Sequence, residues 1–148
     1  MILVRRLPKI LAAALCASSA AACGPGHMAG RWELREGSTV RGYLDIRQTD
    51  RTAPLSPDML TVRAALRGQD IAMSGSSLGA GFEIEGPGCR ESTRACADTV
   101  WYFLSGSNED RIRDDFEADL SIWATASGPY DSRATALERQ SLHGHRVR

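Results

Sequence analysis

Two cysteines in the middle of the chain have a type and spacing that could do chemistry. Cys89 and Cys96 lie in GPGCRESTRAC, seven positions apart. A zinc or thiol-redox site would need CxxC spacing or nearby histidines, and neither is present around this pair. Disulfide formation is the remaining chemistry, and it depends on export of the chain to an oxidising compartment.

The opening stretch, MILVRRLPKILAAALCASSAAACGPG, has the parts of a secretory signal. Arg5, Arg6 and Lys9 form a basic region, and the 13 residues after Lys9 are apolar or small. A helix needs about 20 apolar residues to cross a bilayer, so this run is too short for a permanent span. We therefore predict that residues 1–22 are a signal peptide that is removed on export.

Cys23 is the candidate for acylation at the end of that signal. It follows three alanines, whereas Cys16 follows the bulky Leu15. The stretch AAAC resembles the lipobox of bacterial lipoproteins, with Ala20 where Leu is usual. The resemblance implies that Cys23 becomes the first residue and carries several acyl chains, palmitate among them, which anchor the protein stably in a membrane.

The residue after the cysteine bears on where such a lipoprotein resides. Gly24 stands there rather than Asp, and the resemblance then implies the outer membrane, on its periplasmic side. We expect residues 23–30 to be the acylated cysteine and a flexible tether. An ordinary cleaved signal with an incidental cysteine is the alternative.

Export makes a Cys89–Cys96 disulfide the expected state of the second cysteine pair. The bond would close a loop of about eight residues, which stabilises the fold by roughly 2–3 kcal/mol in the chain-entropy model. We predict that this disulfide holds one loop closed and takes no part in redox chemistry.

No catalytic group is predicted. Ser77 in GSSLG matches G-x-S-x-G, but that motif works only on a strand-to-helix turn, with an acid and a histidine following. Here the motif falls in a predicted hairpin, and His143 lies in a polar tail. We therefore predict that the protein is not an enzyme and needs no cofactor.

No metal site is predicted either. The stretch NEDRIRDD (108–115) carries four carboxylates, but their spacing fits no calcium-binding EF-hand loop. We interpret it as a solvated, self-paired hairpin tip. The chain has one histidine besides His143 and His145, which is His27 in the tether. Three histidines so placed are too few for a folded transition-metal site.

The charge balance of the exported chain limits its partners. Without Arg5, Arg6 and Lys9, the 18 basic residues fall to 15 against 18 acidic residues, a formal charge near −3. This balance predicts no basic patch for nucleic acid and no polybasic membrane surface.

Alternation of apolar and polar residues with period two dominates the rest of the chain. Eight short runs follow one another, separated by Gly, Pro, Asn and Ser turn signals; their centres are near RWELR, YLDIR, LTVRAAL, DIAMSG, GFEIEG, TVWYFLSG, FEADLSIWA and YDSRATALER. This pattern predicts an all-β domain over residues 31–140, an eight-stranded antiparallel up-and-down barrel or a sandwich, and the barrel is favoured because closure removes exposed edges. Residues 141–148 are predicted to be a disordered tail.

The first strand carries a family resemblance. Gly30-Arg31-Trp32, opening an eight-stranded meander, resembles the GxW motif of the lipocalin and wider calycin group. In that group the Trp packs across the closed end of the barrel beneath an Arg from the end of the last strand. Arg139 ends the last predicted strand, so Trp32 and Arg139 are expected to be neighbours. The family's Thr-Asp-Tyr-like corner is missing, since SGSNEDR stands at that place.

Three functions remain open from the sequence, and the first of them is favoured. The first is a small binding module that holds an apolar ligand inside the barrel, with Trp101–Phe103 and Trp123 as candidate lining. The second is a protein-interaction or inhibitor domain that acts through loops such as 87–98, as in periplasmic protease inhibitors with a similar opening strand and a disulfide. The third is a structural envelope protein without a discrete site. A cavity within the barrel favours the first, and a packed interior favours the second.

Overall fold

The computed structural model describes residues 28–49, 57–92, 95–107 and 114–148. The predicted signal peptide, Cys23 and His27 lie outside the described residues, as do Glu109 and Asp110. Among the described residues, no helix is long and apolar enough to cross a membrane.

Eight antiparallel strands, each paired with the next, close into a barrel through pairing of the last strand with the first. The strands are β1 (Gly30–Glu36), β2 (Thr39–Gln48), β3 (Asp58–Leu66), β4 (Gln69–Leu78), β5 (Gly81–Cys89), β6 (Thr99–Ser107), β7 (Asp115–Trp123) and β8 (Glu138–Val147). A short 3-10 helix, Gly128–Tyr130, lies between β7 and β8. The predicted up-and-down barrel is confirmed, and its architecture is consistent with a lipocalin-like fold.

Apolar side chains fill the interior of the barrel. In β3, alternate residues from Asp58 to Leu66 are buried and the residues between them are exposed, as the period-two pattern predicts. The other strands contribute in the same way, and the largest fully buried side chains are Trp32, Tyr102, Met28, Leu34, Leu44, Leu60, Leu66, Ile84, Leu104, Leu142 and Val62. Each such side chain stabilises the fold by about 1.5–3 kcal/mol through burial.

The barrel has two different ends, because consecutive strands run in opposite directions. β1 begins and β8 ends at one of them, which we call the N-terminal end. The other end, which we call the mouth, carries the two-residue turns 37–38 and 67–68, the loop 90–98 and the connection 124–137.

The residues before β1 close the N-terminal end. Met28 is 2% exposed, its backbone amide donates to Gln48 Oε1 at 2.6 Å, and its carbonyl accepts from Trp32 Nε1 at 2.8 Å. Gln48 is held in turn by Asp58, with Nε2 to Oδ2 at 2.7 Å. The predicted flexible tether is therefore wrong for residues 28–30, because these polar contacts and burial fix the chain there.

An arginine covers Trp32, but it is Arg146 and not Arg139. The Arg146 guanidinium lies 4.3 Å from the Trp32 ring centroid, and the two residues are direct partners across β1 and β8. Arg139 lies at the mouth, 5.6 Å from the ring of Trp123. The expected Trp32–Arg139 pair is wrong because the last strand begins where it was predicted to end.

The predicted disordered tail, residues 141–148, is likewise wrong: most of it is strand β8. Only Leu142 brings a large apolar side chain into the barrel from this stretch, since the next inward position is Gly144. The ring of Phe116, from β7, occupies the space that a side chain at Gly144 would need. Because Gly144 stands at an inward position where an apolar residue would be expected, the period-two alternation is lost in this stretch. The sequence of β8 therefore resembles a polar tail.

Arg146 gives a first prediction. Its Nε donates to Asp114 Oδ1 at 2.9 Å, and its Nη1 donates to the Ala29 carbonyl. Replacing Arg146 with Gln removes these charged hydrogen bonds and the contact with Trp32, so we expect the free energy of unfolding to fall by about 2 kcal/mol. Arg139→Gln, which removes one longer ring contact, should cost about 0.5 kcal/mol. Urea unfolding followed by circular dichroism measures both, and equal losses would contradict this placement.

Candidate functional site

A cleft of about 540 Å³ lies at the mouth of the barrel. Its apolar floor consists of interior side chains from β3, β7 and β8, namely Leu66, Leu120, Ile122 and Leu142. Its rim is charged and amphipathic, with Glu36, Val40, Arg41, Arg67, Glu138, Arg139 and Gln140. Apolar surface surrounded by convergent polar groups is the usual composition of a binding site.

Two ion pairs define the charged rim. Arg41 Nη2 lies 2.5 Å from Glu36 Oε2, and Arg67 Nη1 lies 2.8 Å from Glu138 Oε2. The hydrogen bond from Arg41 holds the pKa of the Glu36 carboxyl below its usual range, with a smaller effect in the same direction from Gln140. Glu36 therefore stays ionised near neutral pH, and the rim keeps three cations against two anions.

Arg67 holds an unusual backbone position at the mouth. Its φ is 53°, and Gly68 follows at 75°, so these two residues form the tight turn with two positive φ angles that suits a β-hairpin. Arginine is strained by about 1 kcal/mol or more in this left-handed region. The Arg67 side chain pairs with Glu138, far along the sequence, and both residues line the mouth cleft and also a second cleft of about 410 Å³.

The predicted disulfide is confirmed, with Cys89 and Cys96 joined at 2.03 Å. It closes the mouth loop, residues 90–98, of which 93 and 94 are outside the described residues. The side-chain amide of Gln69 fastens the end of β5, where the loop begins, to β4: its Oε1 accepts from the Cys89 amide at 2.9 Å, and its Nε2 donates to the Cys89 carbonyl at 2.7 Å. Within the loop, Ser92 Oγ donates to the Gly68 carbonyl at 3.0 Å, and Arg90, Glu91 and Asp98 help to line the second cleft.

Tyr102 supports the same attachment from inside the barrel. Its hydroxyl donates to the Cys89 carbonyl at 2.9 Å and accepts from Gln69 Nε2 at 3.1 Å. Burial raises the pKa of the Tyr102 phenol, although the nearby Arg67 opposes the shift. The phenol thus remains a protonated donor, and β6 helps to hold the end of β5 from which the mouth loop begins.

The aromatic residues considered as ligand lining divide between the two faces of the barrel. Tyr102 points inward, whereas Trp101, Phe103 and Trp123 lie on the outer face. The 3-10 helix covers part of this face, with Tyr130 at 6.0 Å from Phe103, centroid to centroid. Glu85 Oε2 accepts from Trp101 Nε1 at 3.2 Å and from the Tyr130 hydroxyl at 3.1 Å. These residues form a small outer cluster and do not line the interior.

The G-x-S-x-G match lies within a strand. Ser77 belongs to β4 and points into the barrel, 3% exposed, and its hydroxyl has no hydrogen-bond partner among the described residues. The predicted hairpin turn begins only at Gly79. No histidine described here contacts Ser77, since His143 and His145 face outward on β8. In the described part of the chain Ser77 therefore has no histidine beside it, and its direct partner across β3 and β4 is the buried Asp58.

Two carboxylates of the predicted hairpin tip, Asp114 and Asp115, contact β8, and so does Glu117 farther along β7. Asp115 Oδ1 lies 2.6 Å from His145 Nδ1, and Glu117 Oε1 lies 2.6 Å from His143 Nδ1. Asp114 pairs with Arg146. Asp114 and Asp115 therefore have partners on β8, the polar stretch that was predicted to be a tail, whereas the arginines of the predicted tip lie outside the described residues. Among the described residues, no group of three or more His, Cys, Asp or Glu could hold a metal ion.

The contacts of His143 and His145 with Asp115 and Glu117 predict a pH dependence of stability. Hydrogen bonding to Glu117 raises the pKa of His143 above its ordinary 6.5, and hydrogen bonding to His145 lowers the pKa of Asp115 below its ordinary 3.8. The His143 contribution is complete below pH 6.5 and is lost as the pH rises through its folded-state value. The Asp115 contribution is complete above pH 3.8 and is lost as the pH falls through its folded-state value.

We therefore expect these contacts to stabilise the fold most between pH 3.8 and pH 6.5. From pH 6 to pH 9 the wild type should lose about 0.5 kcal/mol more than His143→Gln, a small difference because these side chains are partly exposed. Urea midpoints at a series of pH values measure this. Parallel profiles for the two proteins would contradict it.

Three arginines from separate parts of the chain meet on the outer face of β1–β3. Arg31, Arg47 and Arg63 line a cleft of about 700 Å³ near the N-terminal end, with Asp45 between them. Register brings them together, since Arg31 is opposite Asp45 and Asp45 is opposite Arg63. The net charge did not indicate this cluster of three arginines, because a total charge does not describe how the charges are distributed.

Sequence reasoning also missed the mouth cleft. Its residues come from five separate segments between Glu36 and Leu142, and only the strand register brings them together. Two signals were available in the sequence: the turn Arg67-Gly68, and the concentration of Glu138, Arg139 and Gln140 at one strand start.

A search against protein-family models, curated proteins and solved structures finds no match to this chain.

Proposed function

We propose that this protein is an exported lipoprotein, anchored through Cys23, that binds a protein partner at the mouth of its barrel. The observation that carries the proposal is the position of the mouth cleft, at the end opposite to the one where the chain enters β1. With Cys23 acylated, the N-terminal end is held at the bilayer, and the mouth cleft faces the aqueous compartment.

The filled interior supports binding at the mouth over binding within the barrel. An eight-stranded barrel is just wide enough to be filled by side chains or to hold one small ligand. Here Trp32, Leu44, Ile84 and Leu104 are fully buried in the interior. The apolar ligand inside the barrel stays a prediction, and it enters the tests below as a competing outcome.

The composition of the cleft indicates the chemistry of the partner. An apolar floor under a rim with excess positive charge suits a protein segment that presents an apolar side chain flanked by carboxylates. The rim pairs Arg41–Glu36 and Arg67–Glu138 are exposed, and such pairs contribute at most about 1 kcal/mol, so incoming carboxylates can replace them at little cost. The disulfide between Cys89 and Cys96 also restricts the conformations of the chain beside the mouth before binding.

The anchor is tested by the mass of the mature protein. We expect a chain that begins at Cys23, carries acyl groups and partitions with membranes, and we expect Cys23→Ser to release it. A wild-type protein that is soluble, without added mass at its amino terminus, would contradict acylation.

The binding surface is tested by photocrosslinking in the host envelope. We expect p-benzoylphenylalanine in place of Val40, on the rim, to give a protein adduct, and the same residue in place of Ala72, on the outer face of β4, to give none. The adduct should disappear when Arg41→Gln and Arg139→Gln are combined with the Val40 probe. Absence of an adduct at Val40, or an adduct that persists in the arginine variant, overturns the proposal. Absence at every position would favour a structural envelope protein.

A further inference from the structure

We infer that the outer face of β1–β3 near the N-terminal end is a second binding surface, which docks the barrel onto an anionic membrane. We call it the arginine face; it consists of Arg31, Arg47 and Arg63 with Asp45 between them. The inference rests on the proposed acylation of Cys23, which supplies the membrane.

The arginine face carries cations that the fold does not neutralise. No ion pair within 4 Å joins Arg47 or Arg63 to a carboxylate in the described part of the chain, although Asp45 is the direct strand partner of Arg63. Arg31 lies over the Tyr43 ring at 4.9 Å, a contact that leaves its charge in place. Three guanidinium groups and one carboxylate therefore leave an excess of two positive charges around an open cleft.

Exposed apolar side chains continue this face toward the N-terminal end. Met59 and Leu78, 56% and 58% exposed, project outward from neighbouring strands β3 and β4. Met59 and Arg63 share the outer face of β3. Arginines that contact headgroups beside apolar side chains that reach the acyl boundary are the combination by which surfaces bind anionic lipid.

The opposite side of the barrel has the reverse charge. The outward positions of β5, β6 and β7 carry five carboxylates and no basic residue, namely Glu83, Glu85, Asp115, Glu117 and Asp119. An anionic leaflet repels this side and attracts the arginine face, so the charge distribution selects one orientation although the mature chain is acidic overall.

The length of the connection keeps the arginine face close to the bilayer. Four residues, 24–27, lie between the acylation site, Cys23, and the first residue fixed on the barrel, Met28, which makes five residue-to-residue steps. A fully extended chain of five residues spans at most about 18 Å. The effective concentration of headgroups at the face is therefore high, which adds to the affinity that the face has for anionic lipid by itself.

Vesicle flotation of the chain from residue 23 with Cys23→Ser tests the arginine face without the acyl anchor. We expect this protein to float with phosphatidylcholine vesicles that contain phosphatidylglycerol, to stay behind with phosphatidylcholine alone, and to dissociate at high salt. Each of Arg47→Glu and Arg63→Glu should weaken binding about tenfold or more, since each reverses one charge at the surface. The matched control Arg133→Glu, on the connection before β8, should change binding by less than about twofold.

Several outcomes overturn the inference. These are equal binding to neutral and anionic vesicles, no binding to either, or the same loss in Arg133→Glu as in Arg63→Glu. Binding of duplex DNA as tight as binding of anionic vesicles would also overturn it, because the face would then recognise polyanions in general. Failure here leaves the acylation of Cys23 unaffected, since the mass of the mature chain reports that separately.

Discussion

Replacing Trp32 with Ala lowers the free energy of unfolding by about 4 kcal/mol. The side chain is fully buried, and its ring centroid lies 4.9 Å from that of Phe116 and 4.3 Å from the Arg146 guanidinium. Truncation leaves a large cavity beside the charged side chain of Arg146. It also removes the hydrogen-bond donor to the Met28 carbonyl. The chain before β1 then loses its attachment to the barrel.

Urea unfolding followed by circular dichroism measures this loss, with Trp101→Ala as the control. Trp101 is also a strand tryptophan, but it lies on the outer face and is only partly buried, so its loss should be about 1–2 kcal/mol. Trp32→Phe, which keeps part of the ring volume, should fall between the two. Equal losses for Trp32→Ala and Trp101→Ala would mean that Trp32 does not close the barrel.

The second large effect is expected from a single methyl group at Gly144. Adding it places a carbon against the ring of Phe116 inside the closed barrel, and overpacking of this kind costs about 3 kcal/mol. Gly81→Ala is the matched control, because the nearest atom to a Cβ at Gly81 is 3.8 Å away. That substitution should change stability by less than about 1 kcal/mol.

A double-mutant cycle identifies the cause. Phe116→Leu alone creates space and should destabilise the barrel, but combined with Gly144→Ala it should cost less than the sum of the two single changes by about 1–2 kcal/mol. Additive losses would show that Gly144 is required for its backbone and not for the space that it leaves to Phe116.

The architecture was predictable because its cause is local. Period-two alternation in stretches such as LTVRAAL and GFEIEG decides which face of a strand is buried, and the turns between them are short. The disulfide was predictable from the spacing of Cys89 and Cys96 together with the predicted signal peptide. The identity of Trp32 as the residue that closes one end followed from the GxW resemblance and agrees with its burial.

What could not be predicted depends on pairing between distant segments. β8 was missed because Gly144 stands where an apolar residue would mark the strand, and the reason lies in Phe116, on another strand. Because β8 was missed, Arg139 was expected to cover Trp32. Arg146 covers Trp32 instead, and Arg139 lies at the other end of the barrel. The mouth cleft and the arginine face were missed for the same reason, since register and not sequence distance brings their residues together.

The functional account depends on the mouth of the barrel being the part that engages a partner. Native mass spectrometry of the acylated protein, extracted from its own envelope in detergent, tests this most directly. We expect a complex whose added mass is that of a protein, and we expect the complex to be absent from the combined Arg41→Gln and Arg139→Gln variant. A chain that carries only its acyl groups, or one that retains a small molecule in place of a protein, would contradict the account.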